Sequence, residues 1–298
     1  MIVQAKRLTP GGKIGIFCPC HVADRAHYAQ IFEEIERQGF SVKAGKNIYR
    51  DSYGYAASEK ERAADLNALI ADEKVGMVLF GGGEGGAEIL PLIDYEHIRR
   101  HPKLFSSYSD GTSILNAIYA QTGLTTYYGM GAGVFADLRQ YDWQQFCARF
   151  VEGYEGQGYI RGSRWRSICP GRCEGTLIGG YGPQFALTLA NPYFHYEKGE
   201  RYLLFLEDHE HFSEVGAVAS TLAFIEQSGF MRQVSGLIFG HYAQQPPDML
   251  LQCLQRFGER CHIPVAYTDD FGHGTRHAVF PLGIRARLDV DNGRFDFC

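Results

Sequence analysis

The stretch Leu104-Phe105-Ser106-Ser107-Tyr108-Ser109-Asp110-Gly111-Thr112-Ser113 decides the reading of the fold. A short apolar run of strand character ends in small polar residues. A helical pattern follows, with Ile114, Leu115, Ile118 and Tyr119 on one face. A serine at such a junction has two readings. It can be a helix N-cap, a task Asp110 could share, or a nucleophile held exposed where free helical N–H groups gather. Ser107-Tyr108-Ser109-Asp110-Gly111 is one residue away from the Gly-x-Ser-x-Gly elbow.

The same strand–turn–helix rhythm extends upstream. Lys13-Ile14-Gly15-Ile16-Phe17 reads as a strand entered from Pro10-Gly11-Gly12. A helix with Ile31, Phe32 and Ile35 on one face closes at Gly39, and Phe40 to Ala44 is a second strand. The segment from Ser58 to Lys74 reads as a helix, with Ser58 and Glu61 as a capping box and Leu66, Leu69 and Ile70 as its buried stripe. Val75-Gly76-Met77-Val78-Leu79-Phe80 is apolar throughout, as a strand covered on both faces should be. It runs into Gly81-Gly82-Gly83-Glu84-Gly85-Gly86. Strands alternating with helices predict an α/β fold with an open parallel sheet, Rossmann- or flavodoxin-like, over residues 1–154. Ligands of such sheets sit beyond the carboxyl ends of the strands, where the glycine run and Ser109 both fall.

Glycines and prolines without periodicity mark residues 155–172 as a linker. Residues 173–298 then read as a smaller, β-rich α+β domain. It opens with Gly175 to Gly180; strands are placed at Arg201 to Leu206 and Ser235 to Phe239, and β-like segments at Ile263 to Tyr267 and Ile284 to Val290. Helices are placed around Val218, Leu222 and Ile225, and near Leu250 and Leu254.

Composition narrows the function classes. The chain has 298 residues, 45% of them hydrophobic and 21% charged, as in globular proteins. A net charge of -5 without a basic block argues against nucleic acid as a partner. No apolar stretch approaches the ~18 residues of a membrane helix, and Met1 to Arg7 lacks a signal peptide's apolar core. The expectation is a cytoplasmic protein. Its eight cysteines are then core side chains rather than disulfides. Cys18-Pro19-Cys20-His21 hints at a metal site, yet no second cysteine pair has ligand spacing, so no metal is expected.

Four places carry candidate chemistry. The glycine run lacks the Lys-Ser/Thr of a phosphate loop, leaving a plain tight turn or a loop whose N–H groups approach an oxyanion. Ser109 is a cap or a nucleophile. Glu207-Asp208-His209-Glu210-His211, after a strand, is a solvated turn, a metal cluster through its two histidines, or the source of a carboxylate that orients a base. In Asp269-Asp270-Phe271-Gly272-His273-Gly274 a histidine stands between two glycines, which leaves the imidazole room to move protons near neutral pH. His277 is the alternative.

Together these stretches resemble the serine LD-carboxypeptidases, whose relatives include the microcin C immunity peptidases. The resemblance rests on Glu61-Arg62-Ala63-Ala64-Asp65-Leu66-Asn67, Glu88 to Tyr95, Tyr108-Ser109-Asp110, Leu204 to Asp208, Gly272-His273-Gly274 and Phe280-Pro281-Leu282-Gly283. It implies a triad spread over two domains. In it Ser109 attacks an amide carbonyl, His273 takes its proton and Glu207 holds the imidazole. It also implies oxyanion donors at the Asp110 and Gly83 N–H groups, a small peptide-like substrate such as a murein peptide, no cofactor and a homodimer.

The chain departs from the family pattern at Glu84, Ser107, Tyr181 and His277. By the resemblance, Glu84, Tyr181 and His277 are expected to line the substrate site. Glu84 disfavours a free carboxylate there unless an arginine such as Arg276 compensates, so a cationic substrate group, or one without a terminal carboxylate, is expected. Two alternatives of other classes are a two-domain ligand-binding protein without activity and a metallohydrolase using His209, Glu210 and His211.

Overall fold

A computed structural model of the chain describes residues 2–153 and 158–298. The expected domain boundary at 154 and the start of the expected linker lie outside the described residues. Among those residues the strands form two sheets.

The first sheet contains β1 (Lys13–Phe17), β2 (Ser41–Ala44), β3 (Val75–Phe80), β4 (Leu104–Ser107) and β5 (Tyr127–Tyr128), all parallel, in the order β5-β4-β3-β1-β2. The second contains β6 (Arg166–Cys169), β7 (Arg172–Tyr181), β8 (Tyr202–Glu207), β9 (Val234–His241) and β10 (Val265–Gly272). Here β7, β8, β9 and β10 are parallel neighbours, and β6 runs antiparallel along β10. Next in the chain, β11 (Phe280–Pro281) leaves the second half and pairs antiparallel with β5 of the first sheet. Finally β12 (Arg285–Asp289) and β13 (Arg294–Phe297) extend the β7 edge of the second sheet.

The helices follow the sequence pattern. α1 (Arg25–Arg37) buries Tyr28, Ile31 and Ile35, is capped by Asp24 and is followed by Gly39 at φ 87°. α2 (Glu59–Ala71) begins with the Ser58–Glu61 capping box and buries Leu66, Leu69 and Ile70. After the six-residue α3 (Tyr95–Arg100), α4 (Thr112–Thr122) is buried over most of its length and stops at Gly123 in the left-handed region. α5 (Gln140–Phe146) closes the first half. In the second half α6 (Gly182–Thr188), α7 (Val215–Gln227) and α8 (Asp248–Cys261) link the strands.

Two segments differ from the sequence expectation. Part of the expected linker is ordered structure, because β6 pairs with β10 and Trp165 buries its ring against Phe295. β10 also runs past Tyr267 to Gly272, so His273 is the first residue beyond its carboxyl end.

The two halves share one core. Phe280 of β11 lies 4.5 Å from Phe271 and 5.1 Å from Phe205, ring centre to ring centre, and the same cluster contains Phe80, Phe105 and Tyr128 of the first half. The start of α4 also presses against β7. Gly179 has φ 146°, its carbonyl accepts from Asn116 Nδ2 at 2.9 Å, and a Cβ there would stand 1.8 Å from the Phe205 carbonyl oxygen. Backbone cannot yield to that overlap without breaking the β7–β8 register. Gly179→Ala is therefore expected to cost about 3 kcal/mol or more, as strain and overpacking add. Chemical denaturation against the parent protein checks this.

Candidate active site

The ends of the strands supply the site. β4 ends at Ser107, and the chain turns through Tyr108 into a short 3-10 turn, Ser109–Gly111, before α4. Ser109 takes φ 58°, a left-handed conformation that costs a non-glycine residue roughly 1–2 kcal/mol. Neither Ser109 nor Asp110 caps α4: its N-cap position is Gly111, with no side-chain cap. The Ser109 hydroxyl instead meets His273 Nε2 at 2.9 Å, and His273 Nδ1 lies 2.8 Å from Glu207 Oε2. A carboxylate can only accept, so Nδ1 carries the proton and Nε2 is free to accept from the serine. Residues 109, 207 and 273, far apart in the chain, thus form one hydrogen-bonded line.

Electrostatics poise the imidazole. Burial alone would lower the His273 pKa below its ordinary 6.5. The charge of Glu207, its hydrogen bond and the charge of Asp208 outweigh burial, so the pKa ends raised. Glu207 is fully buried at the last position of β8. Its other oxygen, Oε1, accepts from the Tyr128 hydroxyl at 2.5 Å, so both Glu207 oxygens are hydrogen-bonded. Neighbouring Asp208 is also buried, and mainly for that reason its pKa is pushed up to about 6.

The glycine run is anchored as a separate unit. Gly83 has φ 112°, and a Cβ there would stand 2.2 Å from the Cys20 carbonyl oxygen, so only glycine fits. The buried guanidinium of Arg62 donates to the carbonyls of Ala57, Pro19 and Gly85 and pairs with Glu88. His21 Nδ1 donates to the Gly82 carbonyl at 2.6 Å, while its Nε2 accepts from the Tyr28 hydroxyl at 2.9 Å. The Asp110 carboxylate joins this loop to the serine turn, accepting from Gly86 N–H at 2.6 Å and from Cys20 Sγ at 2.9 Å. The backbone of Asp110 and the glycine loop are thereby fixed against each other. An oxyanion site needs that preorganisation.

This arrangement also explains Cys18-Pro19-Cys20-His21. Burial, then the charge of Asp110, raises the Cys20 pKa well above 9.0, and burial raises Cys18 to about 12. Both remain thiols, and the segment buttresses the loop. All eight cysteines are free.

The other expected site residues separate into two groups. Tyr181 stands at the end of β7 with its ring 5.4 Å from that of His273. Glu84 is exposed on the glycine loop. His277 instead faces inward: its N–H donates to the buried Asp142, and its Nδ1 approaches the same oxygen at 3.2 Å without hydrogen-bond alignment. Its ring lies 5.9 Å from that of Tyr108. Arg276 lies against Gly162, and among the described residues it makes no ion pair with Glu84. The rings of His209 and His211 lie 4.7 Å apart, tilted by 45°, beside the site, and among the described residues no three metal-ligating side chains converge.

Three neighbours were not anticipated. Tyr128 joins Glu207 as described. Phe212 is 61% exposed, yet its ring centre is 5.0 Å from that of His273. Tyr108 packs on the imidazole at 5.3 Å. Tyr108 adjoins Ser109 in sequence, and Phe212 follows the His209–His211 pair, but aromatic residues in loops carry no period that announces them.

A two-domain α/β protein, with serine, histidine and glutamate aligned where its two sheets meet, has the architecture of a peptidase. The chain belongs to the LD-carboxypeptidase family. The family's N-terminal domain matches residues 14–129 and its C-terminal domain residues 174–288. A Bacillus subtilis relative named as a probable murein peptide carboxypeptidase is 28% identical, over 96% of this chain and 92% of its own length. The microcin C7 self-immunity protein of Escherichia coli is 24% identical, over 97% of this chain and 93% of its own. A solved structure of that immunity protein in complex with aspartyl sulfamoyl adenosine superposes with a TM-score of 0.84, at 22% identity, covering 98% of this chain and 97% of that one. Among the described residues, no helix is long and apolar enough to cross a membrane.

Proposed function

We propose that this protein hydrolyses an amide bond in a small peptide-like substrate through a Ser109–His273–Glu207 triad. The observation that carries the reading is the hydrogen-bonded line from Ser109 Oγ through His273 to Glu207, with the serine backbone at φ 58°. Ser109 attacks the carbonyl as His273 Nε2 takes its proton. Glu207 keeps Nδ1 protonated and stabilises the imidazolium. The same Nε2 then returns the proton to the leaving amine, and water repeats the sequence to release the acid. The N–H groups of Asp110 and Gly83 receive the oxyanion, on loops held together by the Asp110 carboxylate. The protein acts without a cofactor, as a cytoplasmic homodimer.

Glu84 and the aromatic wall bear on substrate choice. An exposed carboxylate on the oxyanion loop, with no arginine paired to it among the described residues, repels a substrate's terminal carboxylate. Tyr108, Tyr181 and the exposed Phe212 offer flat apolar faces around the imidazole. These features favour a second substrate reading beside the murein peptide: a peptidyl-nucleotide, as acted on by immunity-type peptidases, whose base can stack on an aromatic ring.

A fluorophosphonate probe tests the nucleophile. It is expected to label Ser109 stoichiometrically, located by mass spectrometry of the digested protein, and to abolish hydrolysis of a peptide panel. Hydrolysis that persists after complete labelling would sink the triad in favour of another catalyst. A protein that neither labels nor hydrolyses any of the panel supports the reading as a ligand-binding relative.

A further inference from the structure

The Tyr128 hydroxyl occupies a position that the triad alone does not require. It accepts from the Ser109 N–H at 3.0 Å and donates to Glu207 Oε1 at 2.5 Å. One atom thus touches the backbone of the nucleophile, from the first sheet, and the carboxylate, from the second. The side chain is completely buried. Its backbone is pinned on both sides, by β4 through Ser107 and by β11 through Phe280, and its ring lies 5.6 Å from Phe205. Gly129 allows this closeness, since a Cβ there would stand 2.0 Å from the Ala278 carbonyl oxygen.

We infer that Tyr128 is a positioning residue that locks the Ser109 turn to the Glu207 carboxylate and sets how strongly Glu207 draws a proton onto His273. The inference rests on the triad reading above. Two consequences follow from its bonds. The Ser109 N–H is spent on Tyr128, which reserves oxyanion binding for Asp110 and the glycine loop. The hydroxyl also disperses part of the carboxylate charge through Oε1, and so moderates the pull of Oε2 on the imidazole proton. Burial, then the charge of Glu207, raises the Tyr128 pKa well above 10.0, so the phenol stays a donor through the working range. Titratable groups around His273 are Glu207 at the end of β8, Asp208 and His209 just beyond it, Tyr108 after β4 and Tyr181 at the end of β7, with His241 at the end of β9 beside His209. All of them remain in a Tyr128→Phe variant, so a change in the pH profile reports the hydroxyl.

The experiment compares pH–rate profiles of the parent protein, Tyr128→Phe and Phe205→Leu on one hydrolysed peptide. Tyr128→Phe is expected to lower kcat by roughly 10- to 100-fold, the scale of a lost hydrogen bond to a charged group, with little change in KM. It is also expected to move the rising limb of the profile to higher pH, because Glu207 then holds the imidazole proton more tightly. Phe205→Leu loosens the packing around the same ring without touching the hydroxyl, and should leave the limb in place. Site-specific 3-fluorotyrosine at position 128 keeps shape and hydroxyl while strengthening the donor. It should move the limb to lower pH, and it serves even if the phenylalanine variant does not fold. A limb unmoved by the fluorotyrosine, or moved equally by Tyr128→Phe and Phe205→Leu, overturns the inference. Full activity in a Ser109→Ala control would instead overturn the triad reading beneath it.

Discussion

Replacing Ser109 by alanine is expected to reduce amide hydrolysis by about 10⁴-fold or more while leaving the fold intact. Removing the hydroxyl takes away the oxygen that His273 Nε2 meets at 2.9 Å, and among the described residues the neighbouring hydroxyl and thiol are engaged elsewhere. Ser107 is buried and directs its hydroxyl to the Tyr108 carbonyl, while Cys20 is a buried thiol held to Asp110. The substitution costs little stability. Ser109 makes no side-chain cap, and alanine tolerates the left-handed turn no worse than serine except for the loss of one hydrogen bond. Steady-state hydrolysis of the peptide panel, with a thermal melt on the same preparation, separates catalysis from folding. Residual activity within 10-fold of the parent would assign the nucleophile elsewhere. Retained substrate binding by the inactive variant would further show that the surrounding loops, rather than Ser109, hold the ligand.

Much of this candidate site was legible in the sequence because its residues lie at or just beyond the ends of strands. β4, β8 and the glycine-run strand β3 are short apolar runs ending abruptly in polar or glycine residues, and local composition reports such ends. What the sequence did not disclose is pairing across the chain. β5 and β11 have two residues each, too few for any period, yet they carry Tyr128 to Glu207 and fasten Phe280 into the shared core. Asp110 beside a helix start suggested a cap, whereas its carboxylate serves a loop 24 positions away in sequence, at Gly86. His277, four residues after His273, suggested a second imidazole in the site. It turns inward instead, and its backbone N–H donates to the buried Asp142. Periodicity tells which face of an element is covered. It does not tell which distant side chain covers it.

Glu207→Gln gives the sharpest sign among the expected results. Glutamine preserves shape at a fully buried position, so the side chain should remain at the end of β8. Its effect on His273 works through charge. With Glu207 neutralised, the largest upward influences on the imidazole disappear, and burial, which lowers its pKa, dominates in their place. The rising limb of the pH–rate profile, expected above the ordinary histidine value of 6.5 in the parent because Glu207 raises the imidazole pKa, should therefore move to lower pH. Asp208 keeps part of the upward pull while it is ionised, above about 6, and limits the size of the move. The plateau should fall at the same time by about 10⁴-fold. The glutamine amide can donate to Nδ1, which favours the tautomer with its proton on Nε2, facing Ser109. That tautomer cannot accept the serine proton. A lower limb with a collapsed plateau is thus the signature of an orienting carboxylate. The opposite displacement expected for Tyr128→Phe completes the argument, since loosened packing gives no reason for the two substitutions to move the same limb in opposite directions. Measuring kcat/KM from acid to mildly alkaline pH for both variants decides it. An unmoved limb in Glu207→Gln would mean that another group sets the proton affinity of His273.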